Sequence, residues 1–122
     1  MTKNLDSEGL RSIFRNYDLF FIDLWGVMHN GIELYKEAVN VLSKISEANK
    51  DYILLTNAPR PKKNVEDFLE KMGLDKKKRE KVFTSGEAAL NFLKKKYLRQ
   101  TFYHIGPSRD FDLFVDFKKN IT

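Results

Sequence analysis

The sequence predicts an α/β fold in three layers, α/β/α, with a mainly parallel sheet. Three observations predict it. The first apolar run, Leu19 to Leu24, is continuous rather than alternating, as in a parallel strand covered on both faces. Strand-like segments then alternate with amphipathic helical ones, which implies right-handed crossovers and parallel pairing. Each strand-like segment also ends at a polar or glycine-marked turn: Asp23, Thr56-Asn57, Thr84-Ser85-Gly86 and Gly106-Pro107.

Ser7 is expected to cap a short first helix carrying Leu10, Ile13 and Phe14 at helical spacing, before Asn16-Tyr17-Asp18 breaks the pattern. The strand Leu19 to Leu24 follows, and Gly26, Asn30 and Gly31 mark a loop or tight hairpin after it. From Tyr35 to about Asn49, Ala38, Val41, Leu42, Ile45 and Ala48 form one apolar stripe, an amphipathic helix. The second strand, Tyr52 to Thr56, exits through Pro59 and Pro61 into a helix bearing Val65, Phe68, Leu69 and Met72, closed by Gly73. Val82-Phe83-Thr84 is a third strand. Thr84-Ser85-Gly86-Glu87 fits a capping box for the helix carrying Ala88, Ala89, Phe92 and Leu93. A fourth strand is expected over Thr101 to Ile105, then a last helix opened by Ser108 and Asp110 with Phe111, Phe114, Val115 and Lys118 on one side.

With 122 residues, 42% hydrophobic and 13% aromatic, the chain can bury one core, so a single domain over 1–122 is expected. The net charge of +5 is spread through a chain of which 32% is charged, with signs interspersed. The exception, Asp75 to Lys81, contains no aromatic side chain to stack on bases and reads as a solvated segment, so no nucleic-acid partner is expected. The absence of cysteine excludes disulfides, thiolate catalysis and thiolate metal sites. Acids near the N-terminus replace the apolar core of a signal peptide, and no run is long enough to span a bilayer; no membrane association and a cytoplasmic location are expected.

Parallel strands would bring Asp23 and Thr56-Asn57 to one sheet edge, where ligands bind in such folds. A carboxylate there can attack phosphorus and form an aspartyl phosphate, provided a divalent cation screens its charge. The Thr56 hydroxyl, the Asn57 amide and the N–H groups of Trp25 and Gly26 could hold the transferring oxygens without adding negative charge. By spacing alone, an aspartate closing a strand is also ordinary turn chemistry. His29 and His104 have no second ligand at metal spacing and read as packing or surface residues. Arg60, Lys62 and Lys63 could meet an anionic substrate or simply start a solvated helix.

Phe-Phe-Ile-Asp23-Leu-Trp-Gly-Val-Met-His-Asn-Gly31 resembles the first motif of the haloacid dehalogenase superfamily, and Ile-Leu-Leu-Thr56-Asn57-Ala-Pro-Arg60 its second. The segments around Val82 and Tyr103 to Gly106 follow the order of the NagD-like, class IIA sugar and nucleotide phosphatases. The resemblance spans roughly residues 17 to 117. It implies a Rossmann-like, incomplete core acting on small phosphorylated metabolites with Mg²⁺. Asp23 would be nucleophile and metal ligand, the Trp25 carbonyl a second metal contact, and Thr56 and Asn57 phosphoryl-binding.

Two departures follow from the same comparison. The family's general acid stands two residues after the nucleophile, where this chain has Trp25, and indole cannot protonate a leaving oxygen. The cap domain, the lysine motif and the acidic metal motif of the family are not matched within these residues, so weak or absent hydrolysis is expected. The first strand would then be an exposed apolar edge, inviting either a homo-oligomer or completion by further chain. The competing function is a non-catalytic remnant or phosphate-binding module of the same fold. A receiver-like phosphoacceptor is disfavoured because the acidic pair near its first strand is lacking.

Overall fold

The structure is a computed structural model in which residues 4–122 are described. Its centre is a parallel sheet of three strands in the order β1-β2-β3, with β1 Leu19–Ile22, β2 Asp51–Thr56 and β3 Val82–Thr84. Leu19 pairs with Asp51 and Ile22 with Leu54 in one ladder; Leu54 pairs with Val82 and Thr56 with Thr84 in the next. The strand ends therefore lie side by side, with β1 at one edge.

The helices are α1 Leu5–Glu8, α2 Lys36–Glu47, α3 Lys62–Lys71, α4 Lys76–Arg79 and α5 Ser85–Lys96. The stripes on α2 and α3 bury Leu42, Ile45, Val65 and Leu69 against Tyr52, Leu54 and Val82, with Leu24 and Met28 of the first loop closing the same core. At about 25 cal/mol per Å² of apolar surface removed from water, this cluster is the dominant favourable term in folding. Period-two geometry makes the strands two-faced. Tyr52, Leu54, Thr56, Val82 and Thr84 are buried, whereas Leu19, Phe21, Leu55 and Phe83 are exposed on the opposite side. The α/β core is thus incomplete, and its bare surface is a sheet face as well as the β1 edge.

Five local features depart from the sequence expectations, each with an identifiable cause. The first helix is a single turn, capped by the Asn4 side chain, which accepts from the Asp6 N–H at 3.0 Å. Gly9, at φ +70°, breaks it, and two 3₁₀ turns, Leu10–Ser12 and Phe14–Asn16, carry the apolar residues instead. Strand β1 stops at Ile22, because Leu24 turns into the core rather than continuing the ladder.

Thr84 caps α5 by accepting the Glu87 N–H at 2.9 Å, but the Glu87 carboxylate does not return to Thr84; it accepts the Lys62 N–H at 3.0 Å. Residues 101–105 form no fourth sheet strand. Phe102 bridges to Ile121, and Ile105 is 91% exposed. The last helix is 3₁₀, Ser108–Phe117, interrupted at Phe114. Three residues per turn stack Phe111, Phe114 and Phe117 on one side, where Phe102 packs on Phe114 and Phe117.

Candidate active site

The site begins where β1 and β2 stop. Asp23 follows the last residue of β1, and its Oδ1 accepts the Leu24 N–H at 2.8 Å, which holds the carboxylate over the turn. Parallel pairing brings the end of β2, at Thr56, close to it. Phe21, Asp23, Leu55, Thr56 and Asn57 line one open depression of about 490 Å³. Asp23, Thr56 and Asn57 are therefore brought together as the sequence predicts.

Thr56 is buried, and its Oγ1 accepts the Ala58 N–H at 3.2 Å. A hydroxyl oxygen engaged in this way keeps its own proton for a further acceptor.

Trp25 sits on the other side of Thr56, and with Gly26 it belongs to a loop folded by its own backbone. Gly26 donates to the His29 carbonyl at 2.8 Å and Met28 to the Leu24 carbonyl at 2.8 Å. Gly26, at φ +74°, and Gly31, at φ +91°, both occupy the left-handed region. A β-carbon on Gly31 would overlap the Trp25 ring, so the indole lies across that glycine. Trp25 remains 63% exposed and lines a second cavity of about 520 Å³ with His29, Thr56, Arg60, Asn64, Phe68 and others. Thr56 is common to both depressions, whereas Gly26 lines neither.

His29 is a packing residue, as expected. It is 1% exposed, edge-on between Trp25 and Phe68, and its Nδ1 accepts the Gly31 N–H at 2.9 Å, which assigns the neutral ring's proton to Nε2. Burial holds its pKa below the usual imidazole value, with the Asp23 charge pulling the other way. His104 packs between Phe111 and Phe114.

The three cations after Thr56 are engaged within the chain. Arg60 Nη1 donates to Asp112 Oδ2 at 2.5 Å, Lys62 Nζ to the Glu80 carbonyl at 2.6 Å, and Lys63 pairs with Asp67. Sequence reasoning missed the Asp112 contact because 52 residues separate the partners.

The oxygen donors at Asp23 and the Trp25 carbonyl suit a hard cation such as Mg²⁺, which commonly takes one or two protein carboxylates and keeps several waters. No group of three or more His, Cys, Asp or Glu side chains gathers at metal-binding distance among the described residues. The donor set is chemically right and sparse. No helix among those residues is long and apolar enough to cross a membrane.

The sequence profile of the haloacid dehalogenase-like hydrolases matches residues 20–117. Among solved structures, a haloacid dehalogenase-like hydrolase from Brucella suis 1330 is similar at 29% identity and TM-score 0.72, over 87% of this chain and 38% of that one. A protein provisionally assigned as NagD is 25% identical, with TM-score 0.64, over 80% of this chain and 38% of that one. The glycerol phosphate phosphatase Rv1692 from Mycobacterium tuberculosis, solved with magnesium, shares the fold at 22% identity and TM-score 0.62, over 89% of this chain and 32% of that one. No curated protein matches the sequence. This chain spans well under half the length of these solved structures. With the Asp23 and Thr56 motifs on adjacent parallel strands and the profile running through both, the chain belongs to the haloacid dehalogenase-like hydrolases, in their NagD-like, class IIA branch.

Proposed function

We propose that this chain carries the nucleophile half of a phosphatase site for small phosphate esters, such as sugar phosphates or nucleotides. The observation that carries the reading is the depression at the ends of β1 and β2, where Asp23, Thr56 and Asn57 converge. Asp23 adds to phosphorus as the ester P–O bond breaks, leaving an aspartyl phosphate and an alkoxide that takes a proton from solvent. Water then adds at phosphorus, releasing orthophosphate and restoring the carboxylate. Thr56 and Asn57 donate to the phosphoryl oxygens while charge shifts between them. Mg²⁺, held by Asp23 and the Trp25 carbonyl, would screen the carboxylate from the phosphate it must approach. The phosphorylated substrate, this cofactor and a cytoplasmic setting belong together in this reading.

Trp25 limits the rate. It stands where the family's general acid is found, and its indole N–H is too weakly acidic to protonate a leaving oxygen, so the expected activity is slow. That residue also supports a second reading, in which the chain binds phosphate without turning it over. Phosphate release from a panel of sugar phosphates and nucleotides with Mg²⁺ separates the two. Slow release that Asp23→Asn abolishes is the expected outcome for the phosphatase. Equal rates in both proteins would remove Asp23 as nucleophile, and release by neither would leave the binding module. Supplying a carboxylic acid by Trp25→Asp is expected to raise release by roughly a hundredfold, the scale of general acid catalysis.

The chain is further proposed as a single partial core domain whose exposed β1 edge is covered by another copy or by additional polypeptide. Size-exclusion chromatography with light scattering tests the first option, and a clean monomer counts against it.

A further inference from the structure

We propose that Thr84-Ser85-Gly86-Glu87 is a positioning element for Thr56, acting through the backbone of residues 57–62. The contacts are dense and all converge on that loop. Thr84 Oγ1 donates to the Arg60 carbonyl at 2.6 Å. The Ser85 hydroxyl is shared between the carbonyls of Asn57 and Ala58, at 2.9 and 3.0 Å. Gly86 donates its N–H to the Ala58 carbonyl at 3.2 Å, and Glu87 Oε2 accepts the Lys62 N–H at 3.0 Å. A β-carbon at position 86 would overlap the backbone N, C and O of Arg60, so this approach is closed to every residue but glycine.

The path from this turn to Thr56 is one peptide plane. A trans peptide fixes its C=O and the following N–H on opposite sides. Holding the Asn57 carbonyl against Ser85 therefore turns the Ala58 N–H the other way, and there it donates to Thr56 Oγ1 at 3.2 Å. With a lone pair of that oxygen so occupied, the Thr56 proton is left to donate to another acceptor. The buried Thr56 would otherwise have its own hydroxyl rotor free to choose. The loop contains Pro59 and Pro61, which bring no N–H of their own, so its hold on the fold depends on carbonyls and on the Lys62 N–H. Those are the groups that the turn engages. The far side is pinned too: Asp112 Oδ2 accepts from Arg60 and, at 2.8 Å, from Asn64 Nδ2.

This inference rests on the reading of Thr56 as a phosphoryl-binding residue, and the test keeps the two apart. Amide hydrogen exchange by NMR is measured on the 122-residue chain, wild type and Glu87→Ala, Glu87→Gln and Ser85→Ala, together with a titration of orthophosphate in the presence of Mg²⁺. In Glu87→Ala the Lys62 and Ala58 amides are expected to exchange roughly tenfold faster, the scale of losing one charge-assisted hydrogen bond, while the Leu54 and Leu69 amides keep their protection. Orthophosphate affinity should fall by a similar factor, and Glu87→Gln, which keeps the acceptor oxygen, should retain both properties.

Unchanged loop exchange in both Glu87→Ala and Ser85→Ala would overturn the inference. So would a loosened loop that still binds orthophosphate as the wild type does. If the wild type binds no orthophosphate, or Thr56→Val binds it equally well, the phosphoryl-site reading is what fails. The exchange comparison then decides by itself whether the turn fixes the loop.

Discussion

The two faces of the sheet are made by the same three strands, yet they carry different structural burdens. On one face Tyr52, Leu54 and Val82 lie under α2 and α3, and Leu54 is fully buried. On the other, Leu19, Phe21, Leu55 and Phe83 are just as apolar, but Phe21 is 67% exposed. Apolarity is therefore not what separates them. The difference is which face the returning helices cover, and a hydrophobic side chain contributes through the water it sheds. Asp23 shares one depression with Phe21 and Leu55 of the open face and borders a second with Ile22, Met28 and Leu42 beside α2, while Trp25 and His29 lie toward α3. Thr56 lines both the depression that Asp23 shares with Leu55 and the cavity of Trp25 and His29.

The sharpest break of this comparison is a pair of matched truncations. Leu54→Ala should cost about 3 kcal/mol by urea denaturation, as for other fully buried leucines, whereas Leu55→Ala, its neighbour on the open face, should cost less than about 1 kcal/mol. Similar costs at the two positions would mean that the open face is covered in solution.

Alkaline unfolding probes the covered face next. Burial, helped by the charges of Asp75 and Asp51, raises the Tyr52 pKa to about 12. The folded state therefore holds this proton more tightly than the unfolded chain, whose tyrosine titrates near 10. The contribution is complete below pH ~10 and is lost as pH rises toward 12, a decline of about 2 kcal/mol that Tyr52→Phe should largely remove from the stability profile. Denaturation midpoints across that range check it.

His29 acts in the opposite direction at acid pH. Its folded pKa is lowered, mainly by burial, so its contribution is present above the unfolded value near 6.5 and is lost as pH falls through the lower folded value. A stability profile of the wild type should drop across that interval, and the drop should shrink in His29→Gln. The smallest expected change is on the open face. Phe83→Thr should leave the unfolding midpoint within about 0.5 kcal/mol of wild type, as for other exposed sites. If copies associate through the open sheet face, the same variant should shift the oligomer equilibrium seen by light scattering.

Much of this arrangement is legible in the chain itself. The continuous run through Phe20, Phe21 and Ile22, the stripe on α2 and the Pro61 and Gly73 limits of α3 are local signals, and the elements form there. Asp23 and Thr56-Asn57 could be placed on one edge because parallel pairing puts strand ends together whatever the connecting helix does. The misplaced elements are those whose state depends on partners. Thr101 to Ile105 has strand-like composition, but the chain offers it the Phe102–Ile121 bridge rather than a sheet edge. Phe111, Phe114 and Phe117 recur at intervals that serve a 3₁₀ segment once the rings of Phe102 and His104 stand opposite.

The sequence by itself determined the succession of the first three strands and the main helices between them, the residue types at the strand ends, and the indole at the position of the expected acid. These depend on spacing and on side-chain chemistry, which are properties of the chain alone. Only the tertiary structure decided which sheet face is bare, that Arg60 is tied to Asp112, and that Glu87 turns from its own helix cap to the Lys62 amide. Each of these is a contact between residues distant in the chain, set by how the loop after β2 meets the start of α5. The physical reason is that a carboxylate or an apolar face carries no address; the fold supplies its partner.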